Sequence, residues 1–137
     1  YDEYGNPVEI VKDKHSTMVR LWSYQGMYPV AEIRNATYQQ VENALGTLAE
    51  TLPGGWLSDQ VWVTLNSNLR SSVYLKNALV TTYKYKPLVG IIEMIDPRGK
   101  STYYDYDVHG RLKEIYIIEG GIKKLLQENE YKYYNEK

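Results

Sequence analysis

Tyr106-Asp107-Val108-His109-Gly110-Arg111-Leu112-Lys113-Glu114-Ile115 is the stretch whose reading decides the fold. Three other segments align with it without gaps: Tyr1–Ile10 (YDEYGNPVEI), Tyr24–Ile33 (YQGMYPVAEI) and Tyr85–Met94 (YKPLVGIIEM). Tyr opens all four. Glu9, Glu32, Glu93 and Glu114 hold the ninth place in each, and Ile or Met holds the tenth. An aromatic stands two residues ahead of three units, in Trp22-Ser23-Tyr24, Tyr83-Lys84-Tyr85 and Tyr104-Asp105-Tyr106, and the spacing returns in Tyr131-Lys132-Tyr133. Identities at fixed places within a unit mark one supersecondary element used several times.

Each unit reads as a hairpin. Residues at i and i+2 share a face of a strand, and the residues that follow turn the chain. Asp2–Asn6 contains Gly5, and Asp107–Gly110 ends on Gly110; both glycines suit a positive φ. Asp96-Pro97-Arg98-Gly99 forms a further turn, with Pro pre-setting φ and Gly two places on. Residues 1–34 and 78–134 are therefore expected as antiparallel hairpins of one meander. The expected strands in the second part are Ala78–Tyr85, Gly90–Ile95, Lys100–Tyr106, Leu112–Ile118 and a long or bent Ile122–Tyr134.

Residues 35–77 follow a different period. Tyr38, Val41, Leu45, Leu48 and Leu52 fall on one face of a single helix. Thr37 with Gln40 matches a capping box, Asn35 competes for the cap, and Pro53-Gly54-Gly55 ends the helix. Ser58 caps a second helix with Leu57, Val61, Leu65 and Leu69 on its inner stripe and Trp62 at its edge. The fold class expected is α+β, mainly antiparallel β. Residues 1–137 form a single domain, with repeat hairpins at 1–34 and 78–137 and a two-helix insert packed on one side of the sheet.

Composition narrows the function classes. The chain has 137 residues, fifteen Tyr, three Trp and no Phe. Such a length buries roughly two thirds of the unfolded surface, enough for a core. The 16 Lys+Arg against 17 Asp+Glu give no basic excess, which argues against nucleic acid or an anionic membrane as partner. Without Cys there is no disulfide scaffold, thiol catalysis or Cys-ligated zinc. No apolar run approaches the ~20 residues of a membrane span. The start at Tyr1 rather than Met reads as a segment of a longer polypeptide, whose export signal would lie upstream.

Tyr106–Leu112, preceded by Asp96-Pro97-Arg98-Gly99 and Thr102-Tyr103-Tyr104, resembles the YD repeat of the Rhs family. That family includes bacterial Rhs toxins, shell components of insecticidal toxin complexes and animal teneurins. Tyr1-Asp2-Glu3-Tyr4-Gly5-Asn6 is similar to the same unit. The wider arrangement resembles the C-terminal end of large YD-repeat surface or secreted proteins of Bacteroidetes, over nearly the whole chain. The resemblance implies a non-enzymatic scaffold at the cell surface or outside the cell, with upstream YD repeats of the same polypeptide as its partners. It marks Tyr1, Asp2, Gly5, Asp96, Pro97, Gly99, Tyr106, Asp107, Gly110 and Arg111 as structural residues of the repeat turns. Two units depart from the pattern, reading Tyr24-Gln25 and Tyr85-Lys86 where Tyr-Asp is expected. The Asp-Pro of the family's autocleaving motif is shared at Asp96-Pro97 only as a turn, and no protease role is carried over.

The polar clusters favour structure over chemistry. Asp105, Asp107, His109 and Arg111 form the densest one, and its acid–base or metal reading lacks a recognisable third or fourth ligand. The turn reading, with Asp107 capping its own backbone and Arg111 paired to it, is preferred. His15, in Lys12–Thr17, is likewise read as a turn residue. The four repeated Glu residues lack the distinct environments a catalytic pair needs, and read as outward strand positions that limit edge pairing by charge. No cofactor is expected. The alternative function is carbohydrate binding, with Trp22, Tyr24, Tyr83, Tyr85, Tyr104 and Tyr106 stacking on sugar rings. Cross-strand packing of the same rings is the preferred account. Open strand edges at both ends predict self-association.

Overall fold

The computed structural model describes residues 1–13 and 16–130. Strands β1 (Glu9–Asp13), β2 (Ser16–Ser23) and β3 (Tyr28–Arg34) lead into helices α1 (Tyr38–Leu45), α2 (Leu48–Thr51) and α3 (Asp59–Ser71). A single 3-10 turn over Val73–Leu75 returns the chain to β4 (Leu79–Lys86), β5 (Gly90–Ile95), β6 (Ser101–Tyr106), β7 (Leu112–Glu119) and β8 (Ile122–Glu128). The strands form one eight-stranded antiparallel sheet in chain order. This is the α+β meander expected from the repeat. The insert does not interrupt the sheet, because β3 and β4 pair directly, Ala31 opposite Thr82 and Ile33 opposite Val80.

The insert is built as its caps dictate, with three corrections. Thr37 accepts the Gln40 N–H while the Gln40 side chain accepts the Thr37 N–H, and Ser58 accepts the Val61 N–H at the start of α3. The single helix expected from Tyr38 to Leu52 is instead two. Gly46 leaves helical geometry (φ 61°, ψ −130°) and its N–H closes on the Glu42 carbonyl, so the apolar stripe continues across a break. Asn35 is no cap: it sits at φ 61° and its amide donates to the Asn77 carbonyl, tying the two ends of the insert together. The third correction concerns Trp62, placed at the edge of α3 by its spacing but only 6% exposed. Aromatic area that large stays on the inner face when the sheet offers it cover.

The core is one-sided in sequence. Val19, Leu21, Val30, Ile33 and Val80 from β2–β4 meet Val41, Leu45, Leu52, Leu57, Trp62, Leu65 and Leu69 from the insert. Beyond Thr82 no described residue is buried. Strands β5–β8 thus extend past the helical cover as hairpins half-open to water, and β8 is exposed along its length. Within the first unit, the strand begins only at Glu9, so the hairpin expected there lacks its leading arm. The long last strand ends at Glu128. Tyr131–Tyr133 and the turn at His15 lie outside the described residues.

Candidate functional site

One loop occurs at three places. In Asp2–Asn6, Asp96–Lys100 and Asp107–Arg111 the Asp N–H donates to the carbonyl four residues on, at 2.8–2.9 Å, and the Gly N–H returns to the Asp carbonyl at 2.9–3.1 Å. The Asp Oδ1 accepts the N–H groups two and four residues ahead in every copy, at 2.9–3.0 Å. Gly5, Gly99 and Gly110 sit at φ 82°, 83° and 78°, where a side chain would be strained. Three loop residues with glycine in the left-handed place form a hairpin connection that matches strand twist. Sequence reasoning found these residues, including the Asp107–Arg111 pair, where Nε donates to Oδ2 at 2.9 Å. Backbone and side-chain donors hold the Asp107 carboxyl below its usual range, the Arg111 N–H contributing most. The two units without Tyr-Asp turn differently, with Tyr24, Gln25 and Leu88 themselves at positive φ.

Two of the repeat-start tyrosines, Tyr85 and Tyr106, bond backward. Tyr85 Oη donates to the Pro29 carbonyl at 2.6 Å and Tyr106 Oη to the Ile91 carbonyl at 2.7 Å, each reaching the preceding repeat unit. Tyr24 Oη donates to the Tyr85 carbonyl at 3.4 Å, and Tyr28 Oη accepts the Leu88 N–H at 2.9 Å. Burial raises the phenol pKa of Tyr24, Tyr83, Tyr85 and Tyr106, so all four stay protonated, and Tyr24, Tyr85 and Tyr106 donate. Tyr28 and Tyr85 stack at 4.8 Å, and Tyr24 meets Tyr28 and Trp56 edge-on, both at 5.4 Å. Tyr28 and Trp56 were not singled out from the sequence; only the Tyr content of the second unit hinted at the former.

The six rings proposed for sugar stacking do not make an exposed row. Tyr24 is 3% exposed, and Trp22, Tyr83, Tyr85, Tyr104 and Tyr106 are half-buried. Trp22 Nε1 donates to the Pro7 carbonyl at 2.9 Å, anchoring the segment before β1. The register explains part of the difference: it shifts between Leu21 and Trp22, between Lys84 and Tyr85, and between Asp105 and Tyr106, at each aromatic-x-aromatic site among the described residues. A bulge re-aims side chains that strict alternation would keep in line.

The repeated Glu residues are not merely outward charges. Glu9 accepts the Tyr38 N–H, Glu32 pairs with Arg20 at 3.1 Å, Glu93 accepts the Ser101 hydroxyl, and Glu114 pairs with Lys123 at 2.6 Å. Each ties its strand to a neighbouring element. Among the described residues no group of three or more His, Asp or Glu is placed to hold a metal ion. No described helix is long and apolar enough to cross a membrane.

No protein-family model and no curated protein matches the chain.

One polar cluster escaped the sequence. Asn66 and Arg70 on α3 meet buried Thr82 on β4: Thr82 Oγ1 donates to Asn66 Oδ1 at 2.7 Å, and Arg70 Nε donates to the same oxygen at 3.1 Å. Arg70 also donates to the Asp96 and Ile95 carbonyls at 2.8 and 3.0 Å. It clamps the insert to the end of β5, where the Asp96 loop begins. Asn66 and Arg70 are i, i+4 neighbours on a helix, but nothing local announces that β4 and β5 lie opposite them.

Proposed function

We propose that the chain is a non-enzymatic structural module, a C-terminal piece of a YD-repeat, Rhs-like scaffold at the cell surface or outside the cell. The observation that carries this reading is the recurrence of one hydrogen-bonded loop at Asp2, Asp96 and Asp107. The backward bonds of Tyr85 and Tyr106 support it, because they fasten one unit to another instead of shaping a pocket. Hairpins of this kind gain stability from their neighbours along the array. The half-open β5–β8 region, with no buried residue of its own, accords with a module whose sheet has further cover in the parent polypeptide.

In this reading upstream YD repeats continue the meander by pairing with β1. Hydrogen exchange on the complete natural polypeptide, compared with this chain alone, tests it. Slower exchange of the β1 amides in the longer protein is the expected result; equal rates would overturn the proposed continuation. The carbohydrate-binding alternative is tested separately on a glycan array. A selective saccharide signal lost in Trp22→Ala or Tyr83→Ala would replace the scaffold reading.

A further inference from the structure

A cleft of about 600 Å³ lies between the C-terminal end of α3, the 3-10 turn and the Asp96–Lys100 loop. Its lining brings together three cations, Arg70 and Lys76 from the end of the insert and Arg98 from the Asp96–Lys100 loop, and includes no carboxylate. The Lys76 and Arg98 side chains make no ion pair among the described residues. Arg70 is charged but spends its donors on neutral partners, the carbonyls of Ile95 and Asp96 and the side-chain oxygens of Asn66 and Thr82. Asp96 lies within electrostatic reach of Arg70, yet its Oδ1 is turned into its own loop by the N–H groups of Arg98 and Lys100. Leu75 and Val80 supply an apolar wall.

We propose that this cleft binds a small ligand bearing an oxyanion (sulfate, phosphate or carboxylate), with Lys76 and Arg98 as the pairing cations and Arg70 as a fixed positive charge behind them. The volume falls in the range of small-molecule sites, and the arrangement of a few polar groups on an apolar wall is the usual one. The physical drive is specific. Lys76 and Arg98 have no ion-pair partner among the described residues, so an anion entering the cleft gains Coulomb energy without displacing an existing salt bridge. Arg70 cannot swing away, because it is the clamp between α3 and β5. The site therefore couples the ligand to the seam between the helical insert and the repeat sheet. This goes beyond the scaffold reading and does not depend on it.

The test is a titration of the isotopically labelled chain followed by amide NMR, with phenyl phosphate, phenyl sulfate and benzoate as separate probes and ionic strength fixed with chloride. Saturable shifts are expected at Ser71–Ala78 and at Arg98 and Gly99 with at least one probe, and the comparison of the three tells which oxyanion is preferred. Lys76→Ala/Arg98→Ala should weaken binding by about tenfold or more, as expected for loss of charge-assisted bonds. Both side chains are at the surface, and the dispersion of the remaining amide signals shows whether the variant is folded. Arg98→Ala alone serves as the milder variant. Absence of saturable shifts with all three probes, or shifts of undiminished affinity in the folded double variant, would overturn the proposal.

Discussion

The Tyr85 hydroxyl donates to the Pro29 carbonyl across 56 residues of chain, at 2.6 Å, while its ring stacks on Tyr28. The bond spans the helical insert and joins the third repeat unit to the second. Tyr106 does the same one unit later, to the Ile91 carbonyl. This gives the choice of Tyr over Phe at positions 85 and 106 a structural cause. At these places the ring supplies apolar area and the hydroxyl satisfies a backbone acceptor, two tasks that Phe cannot combine.

Tyr85→Phe is therefore expected to cost about 1 kcal/mol, the ordinary value of one hydrogen bond whose acceptor is left unpaired. The midpoint of urea unfolding should fall with its slope unchanged. Tyr103→Phe is the control. That ring stacks on Tyr116 at 5.3 Å, but its hydroxyl has no partner among the described residues, and its loss should stay within about 0.5 kcal/mol.

The insert should carry much of the stability. Leu65 is fully buried on α3 between the sheet and α1, and Leu65→Ala should cost about 2–5 kcal/mol through lost burial and a cavity. Val63 on the same helix faces water, and Val63→Ala should stay within about 0.5 kcal/mol. Thermal and urea unfolding of the two variants decide the contrast.

Thr82→Val keeps the shape of a fully buried side chain and removes the hydroxyl that Asn66 and Arg70 share. A loss of about 1 kcal/mol is expected. The amide signals of the Asp96 loop should shift as well, because Arg70 holds the Asp96 carbonyl from the same cluster.

Acid should weaken the fold in a defined way. Asp59, held down by Lys84, Asp107, held down first by the Arg111 N–H, and Glu114, held down by Lys123, all have folded pKa values below their ordinary 3.8, 3.8 and 4.5. A depressed carboxyl stabilises the fold above its unfolded pKa, and the contribution disappears as pH falls through the folded value. Unfolding midpoints measured from pH 6 downward should drop below about pH 4. Asp107→Asn should flatten that drop, since the variant has one fewer proton to take up.

Among the described residues strand β8 has no partner on its outer edge, with Ile122 71% and Leu126 56% exposed. Self-association by edge pairing is the expected consequence. Light scattering should show mass rising with concentration, and Leu126→Lys should suppress the rise. A clean monomer of the unaltered chain at high concentration would refute the expectation.

The features legible in the sequence are those that close within a few residues. The Asp-x-x-Gly loops complete their hydrogen bonds inside five positions, Thr37 and Ser58 cap helices three residues away, and strand alternation carries the meander. So the repeat by itself determined the order and pairing of the strands, and the caps determined where α1 and α3 start. The break at Gly46 was written in the residue but hidden by the unbroken apolar stripe around it.

What only the tertiary structure decided depends on contacts between distant segments. Whether Tyr24 is buried or Tyr83 half-buried follows from Trp56, Tyr28 and the bulges that re-aim the strands, and no local period encodes these. The Arg70 clamp and the cationic cleft beside it form only when α3, the 3-10 turn and the Asp96 loop converge. The Tyr-for-Phe bias lies in between. The repeat shows where the hydroxyls must be, and the packed sheet supplies the carbonyls they bond.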